Sequence, residues 1–207
     1  MVQDNQTPAG PLTIGVTDTM MSYWLPTSLR VFLSDYPEIF PTVTGVDYLR
    51  IPEQLQQGMY DLALLIESPD WHPPELTVRA LADEPLQLVQ ASSTTKEHSS
   101  LSDLMLMTSH ACSWRPVFEH LLRHQAYEHT TTVELPSAEA IKQCLLAGLG
   151  ASLLPRLVVK DELHTGELQS FPLTPALAPL QVSICWHKDK HLTPAMQAFI
   201  HSMQASI

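Results

Sequence analysis

The order of apolar patterns in the first 66 residues restricts the fold more than any other feature. "PLTIGVT" sets Leu12, Ile14 and Val16 on alternate positions, the period of a strand. Leu25, Leu29, Phe32 and Leu33 follow at i, i+4, i+7 and i+8, one apolar helix face, and Pro37 closes it. "TVTGVDYL" predicts the next strand through Val43, Val46, Tyr48 and Leu49, and Pro52 with Glu53 opens a second helix. "DLALLI" is a continuous apolar run, which suits a strand covered on both faces. The resulting order, β-α-β-α-β, predicts parallel strands joined by right-handed crossover helices.

The rest of the chain alternates as well. After the Pro-rich loop "SPDWHPPEL", the stretch "LTVRALADEPLQLVQASS" reads as two strands or one bent strand. "SLSDLMLM" is expected to form a short helix and "TSHACSW" a strand. "RPVFEHLLRHQA" is expected as a helix with Val117, Leu121 and Leu122 inward, and "TTTVEL" as a strand. "LPSAEAIKQCLLAGLGASLLP" predicts a helix starting at Ser137, with Ile141, Cys144 and Leu145 on one face. Gly148 and Gly150 stop it, and a buried strand follows at once. "LTPALAPLQVSICWH" contains another strand. Thr193 then caps a final helix that begins at Pro194 and carries Met196, Phe199, Ile200 and Met203 as its core stripe.

Composition excludes several classes. A chain of 207 residues buries roughly 70% of its unfolded surface, enough for a sizeable core. Its formal net charge of -11 repels nucleic-acid phosphates, and the 11 Lys and Arg form no stripe, so the chain is not expected to bind DNA by itself. Cys112, Cys144 and Cys185 are odd in number and lack framework spacing, which favours free thiols in a reducing cytoplasm. No basic-then-apolar leader and no run of membrane-spanning length is visible, although a secreted chain already stripped of its leader would read the same way.

Chemistry is sparse. There is no nucleophile elbow, phosphate-cradling loop or CxxC spacing, and no carboxylate pair suggests acid-base catalysis. No enzymatic activity, metal or cofactor is therefore expected. His120 and His124 at i, i+4, with Cys112 and His110 upstream, are the nearest metal candidate; lacking an intervening Glu and a clear third ligand, they read better as an exposed His-bearing face. Helix starts are more informative. Thr17, Asp18 and Thr19, then Ser113 and Trp114, then Pro136 and Ser137, each sit where a strand hands over to a helix. Such hydroxyls either cap their helices, contributing about 1 kcal/mol each, or face an anion together with free amides. Open α/β sheets bind ligands outside the carboxyl ends of their strands, and recurrence at three junctions favours the ligand.

The order and spacing of "PLTIGV", "LPTSLRVFLSDYPE", "LQQGMYDLALL", "LADEPLQLV" and "SAEAIKQCLLAGLGASLLP" resemble the effector-binding domain of LysR-type transcriptional regulators. The resemblance covers about residues 11–203. It implies an α/β fold of two Rossmann-like subdomains with a central cleft, like type 2 periplasmic binding proteins. Residues 11–88 with 176–207 would form subdomain I and 89–175 subdomain II, after a linker remnant at 1–10. Two crossover strands are expected near Gln87–Ser92 and Phe171–Pro179. The implied effector contacts are Thr17, Asp18, Thr19, Met20, Arg50, Ile51, Ile66, Ser113, Trp114, Pro136 and Ser137. Arg50 or Arg115 would suit an acidic group, Asp18 an amine, and Trp114 a ring. The implied protein is a cytoplasmic homodimer pairing helix Leu25–Tyr36 with helix Arg115–Gln125, with tetramers open to the full-length form and no membrane contact. The family's winged helix-turn-helix does not match here, so DNA binding is expected of a longer parent. The alternative on the same fold is a solute-binding protein serving a transporter.

Overall fold

The computed structural model of the chain describes residues 7–95, 101–109, 112–124, 130–173 and 176–205. It divides into two compact units: Met1–Ala82 with Gln181–Ile207, and Asp83–Leu180. The division falls inside two long strands rather than in the loops beside them. It therefore lies a few residues earlier and later than the crossings expected near Gln87–Ser92 and Phe171–Pro179, of which 174 and 175 are outside the described residues.

In the first unit, β1 (Gly10–Val16) leads to a short α1 (Asp18–Tyr23) and then α2 (Leu25–Asp35). β2 (Ile39–Gly45), a 3-10 turn (Tyr48–Arg50), α3 (Ile51–Gln56) and β3 (Leu62–Glu67) follow. β4 (Leu76–Glu84), and later β10 (Leu180–His187) and α7 (Pro194–Ala205), complete it. The sheet order is β2-β1-β3-β10-β4. β1 is parallel to β2 and β3, as the alternation predicts, and β10 runs antiparallel to β3. Every residue of β3 is buried, because it sits between β1 and β10 with both faces covered. Thr193 caps α7, its hydroxyl accepting the Met196 N–H at 3.2 Å, and Met196, Phe199, Ile200 and Met203 are all buried.

Two expectations shift here. The strand predicted at "TVTGVDYL" starts earlier, at Ile39, and ends at Gly45; Tyr48 and Leu49 belong to the 3-10 turn. Asp47 explains the stop, since its carboxylate accepts the Leu49 N–H at 3.1 Å and turns the chain. On α2, Phe32 is core but Leu33 is 40% exposed, so the apolar face is narrower than its sequence suggests.

Just before β3, Asp61 ties the middle of β1 to the loop between β10 and α7. Lys190 Nζ lies 2.7 Å from its Oδ1, while Thr13 donates its N–H (2.7 Å) and its hydroxyl (2.8 Å) to Oδ2. Burial pushes this carboxyl's pKa up, but Lys190 and Thr13 outweigh it and hold the value below the ordinary one. A depressed folded-state pKa contributes stability that is present above the unfolded value, about 3.9, and is lost as pH falls through the folded value. Asp61→Asn is therefore expected to lower the melting temperature at pH 7, with the gap to wild type closing as pH falls below that range. A gap that stays constant from pH 7 to pH 2 would show that the charge on Asp61 does not matter.

The second unit holds β5 (Leu86–Ala91), β6 (Leu104–Thr108), α4 (Arg115–His124) and β7 (Thr131–Leu135). α5 (Ala138–Leu146), β8 (Ala151–Pro155), α6 (Arg156–Thr165) and β9 (Leu168–Phe171) complete it. Its sheet order is β7-β6-β8-β5-β9, with β6 parallel to both β7 and β8.

The helix predicted at "SLSDLMLM" is wrong: Leu104–Thr108 is strand β6, and Met105 through Thr108 are buried. An apolar run with covered faces needs no alternation, so its spacing imitates a helix. The strand predicted at "TSHACSW" also fails: Thr108 ends β6, and Ser113 and Trp114 turn into α4, with His110 and Ala111 outside the described residues. On α4 Phe118 and the expected Leu121 are buried, with Trp114 just before the helix, whereas Val117 and Leu122 are only half-buried. α6 and β9 have no counterpart in the sequence reading. The start of α6 is capped from a distance: Glu84 Oε1 accepts the Leu157 N–H at 2.8 Å, which Pro155 cannot do. Among the described residues, no helix is long and apolar enough to cross a membrane.

Candidate effector-binding edges

In the first unit the parallel register levels the carboxyl ends of β1 and β2, and β3 runs three residues further, to Glu67. Val16 is the register partner of both Gly45 and Leu64. Thr17 N–H donates to the Leu64 carbonyl at 3.1 Å, and Val46 N–H donates to the Val16 carbonyl at 3.1 Å. Thr17, the Tyr48–Arg50 turn and Ile66 therefore belong to one sheet edge. Thr17 holds the N-cap position of α1 in extended geometry, yet its hydroxyl makes no capping bond. Asp18 is exposed beside it, whereas Thr19, Met20, Ile51 and Ile66 are buried.

In the second unit β6 and β7 end level, Thr108 against Leu135. Ser113 is half-buried and Pro136 exposed. Ser137 is half-buried in extended geometry and caps α5, its hydroxyl accepting the Ala140 N–H at 3.2 Å. Trp114 is only 5% exposed, which leaves little ring for a ligand to stack on.

Both arginines that suggested an acidic ligand already have partners. Arg50 makes a two-point pair with Glu53, Nε to Oε2 and Nη2 to Oε1, each 3.0 Å. That hydrogen-bonded pairing raises the pKa of Arg50 and lowers that of Glu53. Arg115 is committed more deeply. Its Nε meets Glu119 at 2.8 Å, and its Nη1 meets Glu134 at 2.8 Å while donating to the Thr108 carbonyl. Burial disfavours its charge, but the two glutamates outweigh that and raise its pKa. Arg115 thus pins the first turn of α4 to the ends of β6 and β7.

Sequence reasoning overlooked Glu67 at this edge, a buried acid ending β3. The available signal is an acid directly after "DLALLI". An open groove of about 510 Å³ in the second unit is lined by Pro85, Leu86, Gln87, Ser170, Phe171 and Pro172 among others, and contains none of the predicted contacts. The described residues include no group of three or more His, Cys, Asp or Glu placed to hold a metal ion; His110 and the His124 side chain lie outside them. Cys112, Cys144 and Cys185 form no disulfide, and burial pushes the Cys185 pKa up to about 12.

The chain matches the family described as the LysR substrate binding domain over residues 5–207. The HTH-type transcriptional regulator GltR of Bacillus subtilis (strain 168) is 31% identical over 207 residues, covering 97% of this chain and 68% of the relative. YwqM, an HTH-type transcriptional regulator of the same organism, is 30% identical over 205 residues, covering 92% and 67%. The chain thus spans about two thirds of the length of these relatives. Among solved structures, the regulatory domain of a single-residue variant of OxyR2 from Vibrio vulnificus has a TM-score of 0.80 at 12% identity, covering 100% of both chains. The Synechocystis PCC6803 CcmR regulatory domain has a TM-score of 0.79 at 24% identity, covering 95% and 96%. These relatives are regulators and lend no support to a transporter's solute-binding protein. By the match across residues 5–207, the chain belongs to the LysR substrate-binding domain family and is the effector-sensing domain of a LysR-type transcriptional regulator.

Proposed function

We propose that a small metabolite, anionic or zwitterionic, is the effector, and that the carboxyl-edge residues of both units contact it. The carrying observation is the Thr17 hydroxyl, which occupies an N-cap position without capping. Asp18 and Arg50 join it on the same unit, and Ser113, Pro136 and Ser137 supply the contacts of the other. Arg50 can leave Glu53 for an acidic group, because exposed ion pairs are weak. Arg115 serves as a brace, not a ligand contact. That the CcmR regulatory domain was solved in complex with 2-PG supports a small ligand on this fold.

The effector biases the domain only by its differential affinity for two states. In the longer parent, acting in the cytoplasm without enzymatic turnover, that bias reaches DNA through separate DNA-binding domains. The parent would be a homodimer joining α2 to α4, whose predicted end at Gln125 lies outside the described residues. Val31 and Leu33 on α2, Phe40 on β2 and Val133 on β7 are exposed apolar side chains suited to such a joint.

The test is a melting-temperature screen against small carboxylates, phosphates and amino acids. At 100 times Kd a true effector adds about 2.7 kcal/mol, which is roughly 5–10 °C for a domain of this size. Thr17→Val should weaken that shift at least tenfold in concentration. Ser137→Ala should also cost about 1 kcal/mol without ligand, as a lost cap. A hit whose affinity is unchanged in both variants refutes the proposed contacts.

A further inference from the structure

Glu67 closes β3 at the edge just described and is only 4% exposed. Its Oε1 accepts the Ser68 N–H at 2.6 Å, and the Tyr48 hydroxyl donates to the same carboxyl. Its Oε2 is buried without any hydrogen bond. Among the described residues, no cation is among the groups that act on this carboxyl. Across the sheet its register partner is the neutral Gln181 of β10. On α3 and the preceding turn, Glu53 and Arg50 pair with each other in solvent. Asp18, Asp47 and Asp70 on the adjoining segments are exposed. A carboxylate sealed in with one oxygen unmet is costly, whereas a protonated carboxyl carries no charge to desolvate.

We propose that Glu67 is a proton-carrying latch: uncharged, it lies sealed beneath Tyr48 with the Tyr48–Arg50 turn closed over the end of β3, and on ionising it draws water in and lifts that turn. The ordering of influences supports the direction. Burial acts most strongly and raises the carboxyl's pKa; the Tyr48 and Ser68 hydrogen bonds favour the charged form but are outweighed. Ionised Glu67 therefore gains most from water, which reaches it by displacing the half-buried Tyr48. The turn carries Arg50 and leads into Ile51, so effector affinity would also depend on pH; that consequence alone rests on the function proposed above.

Protons are the probe, and no effector is needed, so failure here is separable from failure of the effector site. Carbon-13 NMR of the glutamate carboxyls is followed against pH in wild type, Glu67→Gln and Glu84→Gln. Glu84 is the control, since burial raises its pKa too, in the other unit. Two resonances are expected to titrate above the ordinary glutamate value of about 4.3, each lost in its own variant. The raised folded-state value predicts that stability contributed by Glu67 is complete below the unfolded pKa and is lost as pH rises through the folded one. Hydrogen exchange at the Leu49 and Arg50 amides, corrected for intrinsic rates, should accelerate over that window in wild type and not in Glu67→Gln. If Glu67→Gln does not fold, Tyr48→Phe decides, because removing the donor must move the Glu67 resonance to still higher pH. A Glu67 that titrates with the exposed glutamates, or turn exchange that ignores its ionisation, overturns the latch.

Discussion

Gly150→Ala is expected to destabilise the second unit by about 3–4 kcal/mol, combining backbone strain with a steric clash that cannot relax. Gly148 and Gly150 both adopt positive φ, +82° and +69°. Gly148 N–H donates to the Leu145 carbonyl at 2.8 Å and Leu149 N–H to the Cys144 carbonyl at 2.9 Å, which closes the last turn of α5. Gly150 then enters β8 next to the start of β6. A Cβ there would lie 2.5 Å from the Leu104 carbonyl oxygen, a backbone atom of the neighbouring strand. Gly166 provides the comparison: its φ is +78°, but nothing lies within 4 Å of an added Cβ. Gly166→Ala should therefore cost only about 1 kcal/mol of left-handed strain. Urea denaturation followed by circular dichroism measures both, with the midpoint moving at unchanged slope. Equal losses at the two positions would mean that β6 moves aside and that the close approach carries no cost.

That glycine was legible in the sequence because a helix stripe stops there and an apolar strand starts, and only a special backbone makes so abrupt a join. The same holds where one face of an element is clearly covered, as in β1, α5 and α7, and where a short continuous apolar run stands alone, as in β3 and β8. Legibility fails where an apolar run happens to carry helix-like spacing, or where burial is slight. β6 lies mid-sheet, and Leu101, Leu104 and Met105 imitate helical spacing although the segment is a strand. α6 buries only Val158 and Val159, too thin a stripe to stand out. β2, at the sheet's edge, buries Ile39 but exposes Phe40, which blurs its alternation. The candidate site divides in the same way. Strand-to-helix handovers disclose Thr17 and Ser137, but not which hydroxyl is already spent as a cap. Spacing already put Glu53 at i+3 from Arg50 and Glu119 at i+4 from Arg115, a signal that went unused; only the Arg115–Glu134 pair depends on β7 being brought beside the start of α4. Glu67 passed unremarked because a terminal acid after an apolar run normally marks the return to solvent, and here the Tyr48 turn covers it.

Adjacent positions on α2 should give opposite results. Phe32 is fully buried, edge-on to Phe199 of α7 with centroids 5.0 Å apart, and 5.3 Å from Tyr36. Phe32→Ala should cost about 3–5 kcal/mol, since a ring's worth of packing against α7 is lost and a cavity is left behind. Phe32→Leu, which keeps most of the volume, should cost under about 1.5 kcal/mol. A cycle with Phe199→Ala should return a coupling of about 0.5–1.5 kcal/mol for the edge-on ring pair. Leu33, one residue on and about 100° around the helix, is 40% exposed. Leu33→Ser should leave the stability of the isolated chain within about 0.5 kcal/mol, yet weaken self-association in sedimentation if α2 joins α4 of a second copy. A large stability loss for Leu33→Ser at low concentration would place that face in the core. Unchanged self-association would remove α2 from the proposed dimer while leaving the Phe32 result untouched, so the two faces of one helix are tested independently.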